Sequence, residues 1–140
     1  MTSGRDAAAT TLVVVAHLAS GAAPYLQTIK VGHHVVSCDE PASRGGADLG
    51  PSPSGLLVAA LAGCTSITLG MYAGRKGWEL GAVQVDVEWL RGSDGERIER
   101  TIRFGRELTA EQTARLLEIA EKTPVTKTLK QGVAIATRLG

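Results

Sequence analysis

Cysteine is scarce in this chain of 140 residues: there are two, Cys38 and Cys64. Two thiols do not make a disulfide framework. A reduced, cytoplasmic setting suits them better than an oxidising one. An excess of one sign of charge is lacking too. Fifteen Lys and Arg stand against 14 Asp and Glu, a formal net charge of +1, so there is no electrostatic reason to expect nucleic acid or an anionic membrane as partner. Internal repeats, low-complexity tracts and interdomain linkers are also missing. A single domain over residues 1–140 is the expectation, with a modest core of its own.

Sites for bound groups are equally thin. His33, His34, Cys38 and Asp39 cluster in sequence, and His34 and Cys38 share strand parity, but three or more ligands at a definite spacing are not evident. "GGADLG" matches neither phosphate-binding glycine motif, and tight-turn geometry explains it. "GRKG" is superficially like a loop that clamps nucleic acid; a helix C-terminus explains it more simply. No metal or cofactor is expected.

Two stretches invite misreading. "GRDAAATTLVVVAHLASGAA" has a charge, an apolar run and small residues, in the manner of a secretory leader. Asp6, the shortness of the run and His17 argue against that, and "TLVVVAHLA", rich in β-branched residues, reads as a strand. Residues 49–74 carry no charge, long enough to suggest a membrane span. Pro51 and Pro53 near the start, and Gly, Ser, Cys and Thr in the middle, favour the apolar core helix of a soluble protein.

What is present is a mixed pattern with 44% hydrophobic and 21% charged residues, ordinary for a globular domain. Residues 11–18 and 25–38 read as strands separated by "SGAAP", the second bending at "KVGHH". A Gly- and Pro-crowded loop, residues 39–53, leads to a helix with Ser52 as N-cap and Pro53 in the first position. It runs to about Lys76, where Arg75, Lys76 and Gly77 suit a C-terminus. Val83, Val85, Val87 and Trp89 alternate with Gln84, Asp86 and Glu88, a strand with one wet face. A turn centred on Asp94-Gly95 returns it as "RIERTIRFG". There Ile98, Ile102 and Phe104 share one face, and Arg100 intrudes on it.

"TAEQTARLLEIAEKT" is an amphipathic helix, with a capping-box pair at Thr109 and Gln112. Its expected apolar stripe is Ala110, Ala114, Leu117 and Ala120, widened by Leu116. "PVTKTLKQG" reads as one further helical turn and "VAIATRL" as a last strand. The class is α+β with antiparallel pairing. Because a one-sided sheet covers only one side of an all-apolar helix at 53–76, a second copy is expected to cover the rest, giving an obligate homodimer. Tyr72, Trp78 and Trp89 are expected in the core or the interface.

These segments carry a resemblance. "DEP…GGADLGPSP", then "LLVAALAGCT", "MYAGRKGW" and "EQTARLLEIAEKTPV.KTL" are similar to the OsmC/Ohr family of osmotically inducible and organic hydroperoxide resistance proteins, over about His33 to Leu139. The resemblance is to a divergent OsmC-like branch. It implies antiparallel sheets wrapped around central helices in an intertwined homodimer, with two equivalent sites at the subunit interface. It also implies a peroxidatic cysteine that attacks an organic hydroperoxide, a resolving cysteine in a "CPV" motif, and an arginine and a glutamate beside the first thiol.

Carried onto this chain, Cys64 matches the peroxidatic cysteine. A thiolate is the nucleophile, so Cys64 needs a cation or donors beside it; Arg44 lies in the right region to be that cation. The "CPV" motif reads Thr123-Pro124-Val125, and Ser54 and Gly55 occupy the place of the glutamate. A threonine cannot resolve a sulfenic acid. Cys38 is the other thiol that would do so if it came within disulfide range; otherwise an external thiol reductant closes a one-cysteine cycle. Asp39 and Glu40 are candidates for the missing carboxylate, or simply a turn. Thr123 and Thr126, the latter where many relatives have histidine, are candidates to donate hydrogen bonds to a thiolate or ligand.

Two functions follow as expectations. The first is a cytoplasmic, thiol-dependent peroxidase acting on an apolar organic hydroperoxide. The second is a catalytically degenerate homodimer that binds an apolar small molecule at the subunit interface, with Cys64 as packing.

Overall fold

The computed structural model describes residues 9–19 and 23–140. The chain divides into two compact units, Met1–Leu56 and Leu57–Gly140. Arg5 and Asp6, and most of the turn expected at "SGAAP", lie outside the described residues.

The first unit is a three-stranded antiparallel sheet in the order β1 (Ala16–Leu18), β2 (Gln27–Val31), β3 (His34–Cys38). The first strand is shorter than expected: only Ala16–Leu18 pairs, against Val31–Ile29, and Leu12 to Val15 are exposed. The bend at "KVGHH" forms as read. Gly32 and His33 join β2 to β3, and Gly32 takes φ +61°, which a residue with a side chain adopts at a cost. The His33 and His34 rings lie with centroids 3.9 Å apart and planes tilted by 39°.

The loop after β3 is built around one carboxylate. Asp39 is buried and accepts backbone N–H bonds from Glu40 (2.7 Å), Ala47 (3.3 Å) and Leu49 (3.1 Å). Its own N–H donates to the Pro51 carbonyl at 3.1 Å. The Leu49 N–H, followed by those of Glu40 and Ala47, holds the Asp39 carboxyl below its ordinary value despite burial. Gly46 has no room for a side chain: a Cβ there would lie 1.9 Å from the Glu40 carbonyl oxygen. The crowding of glycines in "GGADLG" is thus a packing requirement of the turn that encloses Asp39. The same loop contains a 3₁₀ turn, Ala42–Arg44.

Helix α1 spans Pro53–Lys76 and crosses the division between the units. Ser52 caps it as read, its Oγ accepting the Gly55 N–H at 3.0 Å. Only Leu61, Thr65, Leu69 and Ala73 are buried, a stripe at spacing four. Ile67 and Met71 are exposed. By length and composition α1 is apolar enough to cross a membrane.

In the second unit β4 (Val83–Gly92) and β5 (Gly95–Phe104) form an antiparallel ribbon. The turn is Ser93-Asp94, one residue earlier than expected, with Gly92 paired to Gly95 and Gly95 at φ +119°. Helix α2 (Ala110–Ala120) carries both halves of the Thr109–Gln112 capping box. Its buried residues are Leu116 and Ala120, with Ile119 packed beside them. Ala110 and Ala114 are exposed and Leu117 is 54% exposed, so the expected stripe is corrected by about one residue step. Alanine suits any helix face, and Ala110 and Ala114 gave a false line. The second unit's core is Leu69, Ala73, Leu80, Leu116 and Ala120, with Tyr72, Trp78, Ile102 and Phe104 packed on it.

Two further corrections fall at the C-terminus. "PVTKTLKQ" is an eight-residue helix, α3 (Pro124–Gln131), rather than a single turn. Thr123 is its N-cap and Pro124 its first residue. "VAIATRL" forms no strand: residues 132–140 lack regular structure, and Val133, Ile135 and Leu139 are exposed. A strand exists only where a neighbour takes up its N–H and C=O groups, and among the described residues no strand pairs with this one.

Candidate functional site

Cys64 sits midway along α1, half-buried, as a free thiol. Within the second unit its sulfur has one hydrogen-bonding neighbour, the Thr68 hydroxyl at 4.0 Å, one helical turn on. The residue beside it on the helix, Thr65, is fully buried and donates to the Leu61 carbonyl at 2.6 Å. Thr65 is where α1 joins a network that the sequence did not foretell.

The centre of that network is Arg100 of β5, whose side chain is 12% exposed. It lies opposite Val87 in the ribbon, on the face shared with Ile98 and Ile102. One guanidinium nitrogen donates to the Thr65 and Thr126 hydroxyls, both at 2.9 Å. The other donates to the Ala120 carbonyl at 3.0 Å, an acceptor left open at the end of α2. The nearest carboxylate, Glu121, is 3.6 Å away. A nearly buried cation is thus held mainly by neutral acceptors, which compensate its lost hydration.

Thr123 and Thr126 complete the cluster. Their hydroxyls are 2.6 Å apart, and both side chains are buried. Thr123 Oγ1 also accepts the Thr126 N–H at 3.2 Å, and Thr126 Oγ1 donates to the Ala120 carbonyl at 3.1 Å. The structure therefore brings Thr123 and Thr126 together with Arg100 and Thr65, next along α1 from Cys64. Arg100 was missed as a site residue, yet it left a signal: a charge at core-facing parity in an otherwise apolar strand face.

The remaining candidates lie elsewhere in the chain. Arg44 is exposed on the 3₁₀ turn of the first unit. Asp39 has its oxygens engaged by backbone N–H groups of its own loop, which makes it a turn residue. Ser54 and Gly55 form the first turn of α1. Cys38 is buried at the end of β3 and is also a free thiol. Among the described residues no group of three or more His, Cys, Asp or Glu side chains is arranged to hold a metal ion.

Beside the network lies a cavity of about 570 Å³ in the second unit. Leu57, Leu61, Ile98 and Leu129 supply apolar wall, and Trp89, 38% exposed, stands at its side. Arg100 and Thr126 reach it from the network, and Glu121 and Lys130 line it too. Lys130 hydrogen-bonds to Glu121 and, with Arg100 further off, holds that carboxyl below its usual range. Cys64 is not part of the cavity wall.

The fold is shared with solved structures of low sequence identity. A protein of Psychrobacter arcticus 273-4, described as an osmotic stress induced and detoxification response protein, superposes with a TM-score of 0.73 at 18% identity, over 85% of this chain and 90% of that one. The organic hydroperoxide resistance protein OsmC from Legionella pneumophila gives 0.63 at 16% identity, over 87% and 92%. The organic hydroperoxide resistance protein OhrB of Bacillus subtilis gives 0.58 at 21% identity, over 87% and 93%. These likenesses establish the α+β fold of antiparallel sheets and helices. No curated protein is similar to the chain in sequence. Residues 45–138 match the family model described as OsmC-like protein, a span that contains α1 with Cys64, the β4–β5 ribbon and the Thr123-Pro124-Val125 segment. The chain belongs to the OsmC-like protein family.

Proposed function

We propose that the protein is a cytoplasmic, thiol-dependent reductase of apolar organic hydroperoxides, acting through Cys64 as a homodimer. The observation that carries this reading is a free, half-buried thiol at the middle of α1, in a fold shared with proteins named for organic hydroperoxide resistance. The Cys64 thiolate attacks the distal oxygen of ROOH and breaks the O–O bond. The sulfur becomes a sulfenic acid, and the alkoxide leaves as ROH once protonated. Thr123 holds no sulfur, so the resolving step falls to an external thiol. That thiol forms a mixed disulfide with Cys64 and releases water; a second thiol then frees Cys64 and leaves as the disulfide.

On this reading the Thr123 and Thr126 hydroxyls orient the site through Arg100 and Thr65, the residue next to Cys64 on α1. Full activity in a Thr123→Val, Thr126→Val variant would remove those hydroxyls from the account. The apolar surface of α1 left exposed at Ile67 and Met71, and the unpaired segment at 132–140, are assigned to a second copy. Sedimentation at micromolar concentration is expected to give a dimer; a stable monomer contradicts this.

One observation favours a second reading. The cavity has an apolar wall at Leu57, Leu61, Ile98 and Leu129, and Cys64 does not line it, as a non-catalytic binder would need. Alkylation of Cys64 as a function of pH discriminates the two. A thiol titrating well below the ordinary cysteine value supports the reductase, and one at or above it supports the binder.

A further inference from the structure

The geometry points to a binding site for an apolar chain with a single anionic head, seated in the cavity of the second unit with its head between Arg100 and Lys130. Cys64 does not line this cavity, and the proposal does not rest on the peroxidase reading. Its walls at Leu57, Leu61, Ile98 and Leu129 take an aliphatic chain, and a volume of about 570 Å³ falls in the ordinary range for small-molecule sites. An apolar cavity alone does not select a head group; the charges do.

Arg100 is the least exposed cation of the wall, and its hydroxyl and carbonyl acceptors carry no charge. Its one carboxylate, Glu121, stands 3.6 Å off, beyond hydrogen-bond distance, and is 57% exposed. That same carboxylate also serves Lys130. One exposed anion is therefore shared by two cations, and the position between them already accepts a carboxylate. The other charges of the wall are matched within the ribbon: Glu96 pairs with Arg91 and Arg97 with Glu99. A ligand carboxylate entering along the apolar wall would displace Glu121 to solvent and take its place. In exchange for an exposed ion pair of small worth, it gains a partner for a cation in a less hydrated setting.

The test is titration of the full-length protein with decanoate below its micelle concentration, by calorimetry and by tryptophan emission, since Trp89 lines the cavity. Decanol and decyltrimethylammonium serve as head-group controls. Saturable binding of one decanoate per chain, stronger than that of either control, is expected. Glu121→Gln removes the competing carboxylate and is expected to tighten decanoate about threefold, with decanol unchanged. Leu129→Glu places a carboxylate on the wall and is expected to weaken decanoate at least about tenfold. Arg100 is not varied here, because its loss would disturb the helices it joins. The proposal is overturned if decanoate does not saturate, if the controls bind as well, or if Glu121→Gln leaves decanoate unchanged. It is also overturned if Leu129→Glu alters the oligomeric state and not decanoate binding, which would make the cavity part of an interface between copies.

Discussion

Asp39 and Arg100 are both removed from solvent, and the chain satisfies them in opposite ways. Asp39 takes three backbone N–H groups from within ten residues of itself. Arg100 reaches hydroxyls and a carbonyl that are 20, 26 and 35 residues away. The first charge shapes a loop. The second joins a strand to α1, to the end of α2 and to α3. A local anchor is replaceable by any group that accepts the same N–H bonds, whereas a long-range one ties together elements far apart in the chain.

The largest expected effect is therefore at Arg100. Arg100→Met removes three hydrogen bonds from a cation, takes the charged donor from the Thr65 and Thr126 hydroxyls, and leaves the Ala120 carbonyl with the Thr126 hydroxyl as its remaining side-chain donor. A loss of about 3 kcal/mol in unfolding free energy is expected in urea titration. A loss no greater than that of an exposed ion pair would show that the network is incidental. Arg100→Lys is expected to recover only part of it, because an ammonium cannot reproduce the planar fork of donors. Thr126→Val comes next. It takes away one acceptor of Arg100 and one donor to the Ala120 carbonyl, at a cost of about 1–2 kcal/mol by the same titration.

Asp39→Asn should have the smallest effect at neutral pH, because the amide oxygen can still accept the Ala47 and Leu49 N–H groups, which share one carboxylate oxygen, and gives up the Glu40 bond alone. The contrast sharpens in acid. The native carboxyl titrates below its ordinary value of 3.8, so its contribution is fully present above that value and disappears as pH falls through the lowered native value. The parent protein should therefore lose stability more steeply than Asp39→Asn as pH falls below about 4. Parallel acid limbs would mean that the carboxylate is not the group holding the loop.

The same contrast explains what could be read from the sequence. The bounds of α1, its Ser52 cap, the Thr109–Gln112 capping box and the Gly32 turn depend on residues a few positions apart, and all were legible. The glycine-rich loop was legible as a turn, though not its cause, the enclosure of Asp39 under Gly46. Arg100 showed as an anomaly of strand parity. Its partners at Thr65, Ala120 and Thr126 depend on how helices meet, which periodicity does not encode. The α2 stripe was misplaced because alanines do not declare a face. The segment at 133–139 has a strand's composition, but a strand is a property of a pair. Cys64 was found through the resemblance; in composition alone it is a small residue in an apolar helix.

The central claim is that Cys64 reacts with a hydroperoxide and needs no second thiol of its own chain. The direct measurement is cumene hydroperoxide consumption by the reduced protein, beside Cys64→Ser and Cys38→Ser, with a sulfenic-acid trap and a dithiol reductant supplied in separate reactions. The account predicts one equivalent consumed without reductant, turnover with it, trap labelling of Cys64, no reaction in Cys64→Ser and an unaltered rate in Cys38→Ser. Equal consumption by the parent and Cys64→Ser, with no label on Cys64, would contradict it.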